Sequence, residues 1–200
     1  MKLGILLAAT LVSAFAVTTA SAQAPQPAVA VIGQIQGVDG NLLVVKTPAG
    51  EQKVALANNV AVWGLEKATV ADVTKNAFIG VGATPQADGS QKAIRVIIFA
   101  EAMRGNGEGH RPWTRPNTTM TNATVDTTVS GVDGQNIMVK YKDGEKKIVI
   151  GSDAVIRKYV PGDKGELKPG AHVGINANRQ ADGSLQTARV NVGRGDVVPD

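Results

Sequence analysis

Two short motifs each occur twice in this chain, and the two pairs are separated by the same distance. Gly-Val-Asp-Gly at residues 37–40 returns at 131–134, and Gln-Ala-Asp-Gly-Ser at residues 86–90 returns at 180–184. Both shifts are 94 positions, since 131 − 37 and 180 − 86 give the same difference. From Val31 to Ala100, about 20 of roughly 70 residues are identical to the residue 94 positions later. The chain is therefore predicted to be a duplicated small domain, with a modest core in each copy.

The pattern within each copy predicts an all-β fold. Short Val-rich runs are separated by turn signals such as Asp39-Gly40 and Asp88-Gly89. Runs of this number and spacing indicate a small closed or nearly closed barrel, because closure removes unpaired strand edges. The predicted organisation is a signal peptide at 1–22, a flexible lead-in at 23–29, a first β-barrel repeat at 30–100, a long irregular linker at 101–122, a second β-barrel repeat at 123–193 and a tail at 194–200.

One connection is predicted to differ between the copies. In the first copy, Thr69–Thr74 is predicted to form a single helical turn, with Thr69 as its cap and Asp72 three residues later. In the second copy, the stretch Pro161–Gly170 is rich in Gly, Pro and Lys, and a loop is predicted there instead.

Comparison of the copies also predicts which face of each strand points inward. In the last strand, Ile94 and Val96 match Ala188 and Val190, so these residues are assigned to the core, whereas Thr187 is assigned to the outer face. The first copy carries additional apolar side chains on its outer faces. These are Leu42, Val44, Ile97 and Phe99. Because large exposed apolar patches are unusual on monomers, this surface is predicted to be covered by the linker, by the second copy or by a partner.

At this level of detail the chain resembles a family of uncharacterised β-barrel domains found in exported bacterial proteins, often in tandem, with an OB-like fold. The residues that carry the resemblance are Gly37, Gly50, Gly80, Asp88-Gly89 and Val96, with their copies Gly131, Gly144, Gly174, Asp182-Gly183 and Val190. The resemblance implies two tandem small OB-like β-barrels. It implies no catalytic residues, because its motifs are turn and core positions.

The N-terminus has the organisation of a helical signal peptide. Lys2 precedes the apolar stretch Leu3–Val17, and Ala20-Ser21-Ala22 is a small-residue cleavage pattern, so cleavage is predicted after Ala22 and export to the periplasm or the exterior follows. Loss of Lys2 lowers the formal charge from +4 to +3. So small a positive charge does not indicate nucleic-acid binding. The sequence contains no Cys, so disulfides do not contribute to its stability.

The predicted linker contains the sequence's main candidates for metal binding. Met103, His110 and Met120 supply thioether and imidazole groups, which suit Cu(I), and together with Trp113 these residue types resemble those of small periplasmic copper-binding barrels. Glu101 and Glu108 with His110 form an alternative set for zinc. In the competing interpretation the linker wraps across one barrel and Trp113 is its buried anchor. His172 aligns with Phe78 and is predicted to be a half-buried packing residue.

No enzyme signature is present: the sequence lacks a nucleophile elbow, a Cys nucleophile and a phosphate-binding loop in the right context. Matched cations on the barrel faces suggest a different role. Arg95 and Arg189 occupy equivalent outer positions, with Lys46 and Lys140 predicted nearby, and they suit an anionic glycan or a lipid headgroup. Three functions therefore remain open: a non-enzymatic envelope module that binds another protein or a surface polymer, a metal-binding protein, and an anionic glycan or lipid-headgroup binder.

The predicted binding surface combines the apolar patch with the linker anchor and the matched arginines. Its residues are Leu42, Val44, Ile97, Phe99, Trp113, Arg95 and Arg189. The oligomeric state does not follow from the sequence.

Overall fold

The structure, a computed structural model, describes residues 28–131 and 134–199. The predicted signal peptide, most of the lead-in and the central residues of the second copy's first Asp-Gly turn lie outside these residues. The described chain is all-β and has twelve strands. They are β1 Val29–Asp39, β2 Leu42–Thr47, β3 Gly50–Lys67, β4 Phe78–Pro85, β5 Gln91–Ile98, β6 Gly109–Pro112, β7 Thr119–Gly131, β8 Gly134–Tyr141, β9 Gly144–Ile150, β10 Val155–Pro161, β11 His172–Arg179 and β12 Leu185–Gly193.

The helical content of the described chain is limited to three short 3₁₀ turns, Val70–Asp72, Glu101–Met103 and Lys164–Glu166. None of its helices has the length and apolarity that crossing a membrane requires.

The strands close into two barrels of five. The first barrel runs from β1 through β2, β3, β12 and β11 and back to β1. The second runs from β7 through β8, β9, β5 and β4 and back to β7. The all-β fold and barrel closure were predicted from the sequence and are confirmed.

The distribution of strands between the barrels differs from the prediction of one barrel per repeat. The hairpin β4–β5 of the first repeat completes the barrel of the second, and the hairpin β11–β12 of the second repeat completes the barrel of the first. The exchange is possible because the two hairpins present similar inward side chains, so either one fits either barrel. Residues 30–100 and 123–193 therefore describe the repeat units of the sequence, not the two closed barrels.

The barrels meet along an internal pseudo-two-fold axis. The second half of β3 pairs antiparallel with β10, and in this pairing Leu65 lies opposite Tyr159, its own counterpart 94 positions later. The pairing continues the sheet from one barrel into the other. The strand β3 is thus one continuous strand that serves both the first barrel and this junction.

Each barrel has its own apolar core. Val31, Leu43 and Val45 are fully buried with Ile175 and Val190 in the first barrel. Ile79, Val81 and Val96 are fully buried with Ile137 and Val139 in the second. Each core therefore combines side chains from both repeats, as the hairpin exchange requires. Burial of these aliphatic groups is the main driving force for closure of both barrels.

A β-bulge in the last strand of each repeat overturns part of the predicted face assignment. The β12 register shifts against β3 between Thr187 and Arg189, so Thr187 is buried and Ala188 is exposed, the reverse of the prediction. The matching shift in β5 leaves Ala93 buried and Ile94 only half-buried, while Val96 is inward as predicted. One extra residue in a strand moves every preceding side chain to the other face.

The stretch after β10 is a second correction. The predicted 161–170 loop contains a 3₁₀ turn, Lys164–Glu166, in which the Asp163 side chain accepts a hydrogen bond from the Gly165 backbone N–H at 2.7 Å. The first repeat has the predicted turn: Asp72 accepts from the Thr69 backbone N–H at 2.8 Å. Both connections are short capped turns, because Asp163 and Glu166 replace Thr69 and Asp72 with groups of similar hydrogen-bonding capacity.

Candidate anion-binding cleft between the barrels

The segment between the repeats is more ordered than the predicted irregular linker. It contains the 3₁₀ turn Glu101–Met103 and then β6, which pairs antiparallel with the start of β7. After β6, the Trp113 ring crosses the outer face of β4 at Gly82. A Cβ atom on Gly82 would lie 2.5 Å from a ring carbon of Trp113. The prediction that the linker crosses a barrel is therefore correct, and Trp113 is its half-buried anchor.

Three aromatic rings form a ladder at the junction of the barrels. The Phe78 and Phe99 centroids are 5.4 Å apart, and the Phe99 and Tyr159 centroids are 5.9 Å apart. A guanidinium group lies over each end of this aromatic ladder: that of Arg104 is 6.0 Å from the Phe78 centroid, and that of Arg189 is 5.4 Å from the Tyr159 centroid. Because Phe99 lies between Phe78 and Tyr159, the junction and not solvent covers most of its ring.

A cavity of about 200 Å³ opens beside the ladder, and we call it the arginine cleft. It is lined by Arg95, Arg111, Arg189, Phe99, Tyr159, Gly80, Ile97, Met120 and Asn122. β5 and β12 place Arg95 and Arg189 at equivalent positions just after their bulges, whereas Arg111 comes from β6. Among the described residues that line the cleft there is no Asp or Glu. Three guanidinium groups in a partly enclosed space produce a positive potential that favours an anion.

Two arginines of the cleft, Arg189 and Arg111, are held in place by neutral partners. The Nε of Arg189 donates to Oδ1 of Asn191 at 3.1 Å, and Nη1 of Arg111 donates to the Gly107 carbonyl at 2.8 Å. These bonds fix the direction of each guanidinium without neutralising its charge. The guanidinium N–H groups that remain are oriented donors of the kind that bind carboxylate or phosphate in pairs.

Asn122 is a buried polar side chain in the wall of the arginine cleft. It is 7 % exposed, and its Nδ2 donates to the Asn106 carbonyl at 2.9 Å. Its Oδ1 has no hydrogen-bond partner among the described residues. An amide flip would bring Oδ1 against the Asn106 carbonyl, so the hydrogen bond fixes the orientation of the group. Less than 1 Å² of Oδ1 is accessible, so this oxygen is a buried part of the cleft wall.

A second, larger cavity adjoins the arginine cleft, and we call it the outer cavity. Its volume is about 510 Å³, and Arg95 lines both cavities. The other residues around it are Ala30, Ile32, Trp113, Thr114, Arg115, Gly174, Ile175, Asn176 and Asn191. The Trp113 ring contacts two guanidinium groups, that of Arg95 at 4.9 Å and that of Arg115 at 5.1 Å from its centroid.

The equivalent surface on the other side of the pseudo-two-fold axis has a different chemistry. There Gly193 and His172 replace Phe99 and Phe78, so no aromatic ladder forms, and His172 is half-buried as predicted. Arg194 is bound by two carboxylates, Glu66 at 2.8 Å and Glu166 at 2.8 Å. The Arg194 guanidinium holds the pKa of Glu166 below its ordinary value through a direct hydrogen bond. The charge of Arg194 is therefore neutralised within the protein.

Comparisons with known proteins were made at three levels. They found no match. No protein-family model, curated protein or solved structure matches this chain. The function therefore has to be argued from the geometry and chemistry of the site.

Several predicted binding residues meet at the cleft, and others do not. Arg95, Arg189, Ile97 and Phe99 line it, and Trp113 stands between it and Arg115. Ile97 and Phe99 are half-buried there, and Tyr159 of the second copy stacks on Phe99, which agrees with the predicted cover by the second copy. Leu42 and Val44 are also half-buried, but they lie on β2 between β1 and β3 and do not line either cavity.

Three side chains of the cleft were not among the predicted site residues: Arg111, Asn122 and Tyr159. Tyr159 has a detectable signal in the sequence, since it is an aromatic residue at a position where the first repeat has Leu65. Arg111 and Asn122 have no such signal, because they belong to a segment without a counterpart and only the β6–β7 pairing brings them to the cleft.

The predicted metal-binding side chains are placed on different surfaces. His110 lies opposite Thr121 in the β6–β7 pair, its Nδ1 is 2.8 Å from the Thr121 hydroxyl, and its ring stacks on Tyr141. Met120 directly precedes Thr121 in β7 and lines the arginine cleft. Because adjacent strand residues point to opposite faces, the Met120 side chain lies on the face of β7 opposite to Thr121 and His110. Met103 is 2 % exposed, beneath its 3₁₀ turn.

The alternative zinc set is also engaged elsewhere. Glu101 forms an ion pair with Arg104 at 2.6 Å, and Glu108 accepts a hydrogen bond from the Lys142 backbone N–H at 3.0 Å. Burial lowers the pKa of His110, and the nearby Lys146 charge adds to this effect. The imidazole is therefore neutral at neutral pH, but within the described chain no group of three His, Asp or Glu side chains converges on one point. Copper or zinc binding by the linker stays a prediction.

Proposed function

We propose that this protein is an exported, non-enzymatic binding module of the cell envelope and that its arginine cleft holds an acidic glycan. One observation carries the proposal: Arg95, Arg111 and Arg189 meet around a partly enclosed cleft with an aromatic wall, and no described carboxylate lines it. Export and the envelope location are supported by the predicted signal peptide. The two five-stranded closed barrels, each containing one parallel pair of strands (β3 with β12, and β9 with β5), support the assignment of the barrels as OB-like.

Charge alone favours any anion, and the remaining wall of the cleft favours a sugar acid. Phe99, Tyr159 and Ile97 line the cleft with apolar atoms beside the guanidinium groups, which suits the C–H groups of a sugar. A carboxylate-bearing sugar therefore suits both the guanidinium groups and the apolar atoms of the cleft.

A lipid headgroup is the second source of an anion, and the surrounding surface supports it less. Proteins that bind headgroups at a membrane surface insert a contiguous apolar face into the interface. The exposed large apolar side chains of the described chain instead come from several different elements, two of them from β1. They are Ile32, Val38, Val70, Val129, Val155 and Val198.

The proposal is tested by calorimetric titration of trigalacturonate, an acidic trisaccharide, into the purified protein, with neutral maltotriose as the matched ligand. Trigalacturonate is expected to bind, and its affinity to decrease as salt is added, because the attraction is partly electrostatic. Arg189→Gln is expected to weaken binding by roughly ten- to a hundredfold, the effect of losing one charge-assisted hydrogen-bonding group.

Arg179→Gln is the control, since Arg179 is exposed at the far end of β11 and bonds only locally, to the Gly183 carbonyl. Its affinity should equal that of the unmodified protein. Equal binding of maltotriose and trigalacturonate, or an unchanged affinity in Arg189→Gln, would refute the proposal. Binding to anionic lipid vesicles without binding to trigalacturonate would favour the headgroup instead.

A further inference from the structure

The arginine cleft is too small to account for the whole positive surface at the junction. Its volume of about 200 Å³ lies below the roughly 300–1,000 Å³ of typical small-molecule sites. The outer cavity adds about 510 Å³, and the two meet at Arg95. They are also joined by the hydrogen bond from Arg189, in the cleft, to Asn191, in the outer cavity. A ligand in the arginine cleft can therefore extend into the outer cavity.

The outer cavity repeats the chemistry of the arginine cleft. Arg115 supplies a second cation beyond Arg95, and Trp113 contacts both guanidinium groups and so fixes their positions relative to each other. Asn176 and Thr114 add hydrogen-bonding side chains that suit hydroxyl groups. No Asp or Glu stands among the described residues around this cavity either. The outer cavity thus contains the same three kinds of group as the arginine cleft: cations, an aromatic ring and neutral polar side chains.

The linker appears in this position for a structural reason. At the place of Gly82 the second repeat has Asn176, whose side chain leaves no comparable flat surface. Gly82 lets the Trp113 ring lie directly on β4, and Trp113 then carries Arg115 to the far wall of the outer cavity. The linker is the element that extends the site beyond the two barrels.

We infer that the ligand is a linear chain of several acidic sugar units, which runs from the arginine cleft past Arg95 and Trp113 to Arg115. The inference rests on the proposed function and adds the length and direction of the ligand. The first acidic unit occupies the arginine cleft, and a later unit places its carboxylate at Arg115. Affinity therefore increases with the number of units until the outer cavity is filled.

The test is a calorimetric series with galacturonate, trigalacturonate and hexagalacturonate. The unmodified protein is expected to bind the hexamer at least about tenfold more tightly than the monomer, after correction for the number of equivalent units, because the second cation adds a charge-assisted contact. Arg115→Gln is expected to remove most of this gain and to leave the affinity for the monomer unchanged. Arg115 is exposed, and its guanidinium contacts Trp113 but makes no hydrogen bond to another described residue, so the variant should fold normally.

A second variant separates this inference from the proposed function. Arg111→Gln changes only the arginine cleft and should weaken all three ligands by a similar factor. Equal affinities for the three lengths, or a length dependence that Arg115→Gln retains, would overturn the extended site while leaving the cleft itself intact. Absence of binding at every length would remove the proposed function together with this inference.

Discussion

Gly82 is the residue on which the position of the linker depends. Its backbone is the floor on which the Trp113 ring lies, and even a methyl group there would approach the ring to 2.5 Å. Real Cβ atoms do not come this close, so any side chain at this position has to move the ring or the strand. Trp113 also contacts the guanidinium groups of Arg95 and Arg115. A displaced ring would therefore shift the positions of both charged groups.

Gly82→Ala is therefore expected to displace Trp113 into solvent. In a Trp63→Phe background, in which Trp113 is the sole indole, the emission maximum should shift to the red, and the hexagalacturonate affinity should decrease more than the galacturonate affinity. Gly37→Ala is the matched control, since Gly37 lies in β1 with nothing within 4 Å of its added Cβ. An emission spectrum unchanged by Gly82→Ala would contradict the packing described here.

At the scale of single elements, the β-bulge of β12 places Arg189 in the arginine cleft. The bulge depends on Thr187, which is 2 % exposed. Its hydroxyl accepts from the Arg189 backbone N–H at 3.1 Å and donates to the Arg189 carbonyl at 2.8 Å. The hydroxyl thus takes over hydrogen bonds that the ladder loses at the extra residue.

Thr187→Val keeps the shape of the side chain and removes these bonds. We expect a loss of about 1–3 kcal/mol in the free energy of unfolding measured with denaturant, because a buried N–H group is left without its partner. Thr128→Val, at an exposed position on β7, is expected to change the free energy by less than about 0.5 kcal/mol. A Thr187→Val variant as stable as the unmodified protein would show that the bulge does not need the hydroxyl.

The strands themselves were predictable from the sequence, because the signals that define them are local. Asp88-Gly89 and its copy mark hairpins, and alternation around Leu43 and Val45 assigns the inner face. The bulge at Thr187 was not predictable. Nothing in the local sequence distinguishes a buried Thr whose hydroxyl bonds to the backbone from an exposed Thr.

The hairpin exchange was not predictable for a different reason. The two repeats carry nearly interchangeable core residues, such as Val96 and Val190, so the sequence alone does not decide which hairpin completes which barrel. The arginine cleft depends on this choice, because Arg95, Arg111 and Arg189 come from both repeats and the linker. Sequence comparison identified Arg95 and Arg189 through their matched positions but not that they face one cleft.

At the scale of the whole molecule, the exchange makes the two repeats structurally dependent on each other. Neither half retains a complete barrel without the other's hairpin, and the β3–β10 pairing joins the barrels directly at Leu65 and Tyr159. The same arrangement brings β5 and β12 to opposite sides of the junction, which is where the arginine cleft lies. The cleft is thus a product of the exchange and would not exist on two separate barrels.

The exchange is tested most directly by an engineered disulfide, since the native sequence has no Cys. Val29 lies opposite Ala177 of the other repeat, at the Cα separation of about 4.5–5.5 Å that antiparallel pairs have and that a disulfide tolerates. Ala83 is the counterpart of Ala177, and it would face Val29 if each repeat closed on itself. It pairs instead with Ala93 and Thr119.

The measurement is disulfide formation in monomeric Val29→Cys/Ala177→Cys and Val29→Cys/Ala83→Cys proteins under mild oxidation, with the linked peptides identified by mass spectrometry. The exchanged fold predicts a 29–177 disulfide and none between 29 and 83. A 29–83 disulfide in the Val29→Cys/Ala83→Cys protein, together with free thiols in the Val29→Cys/Ala177→Cys protein, would contradict the exchanged fold.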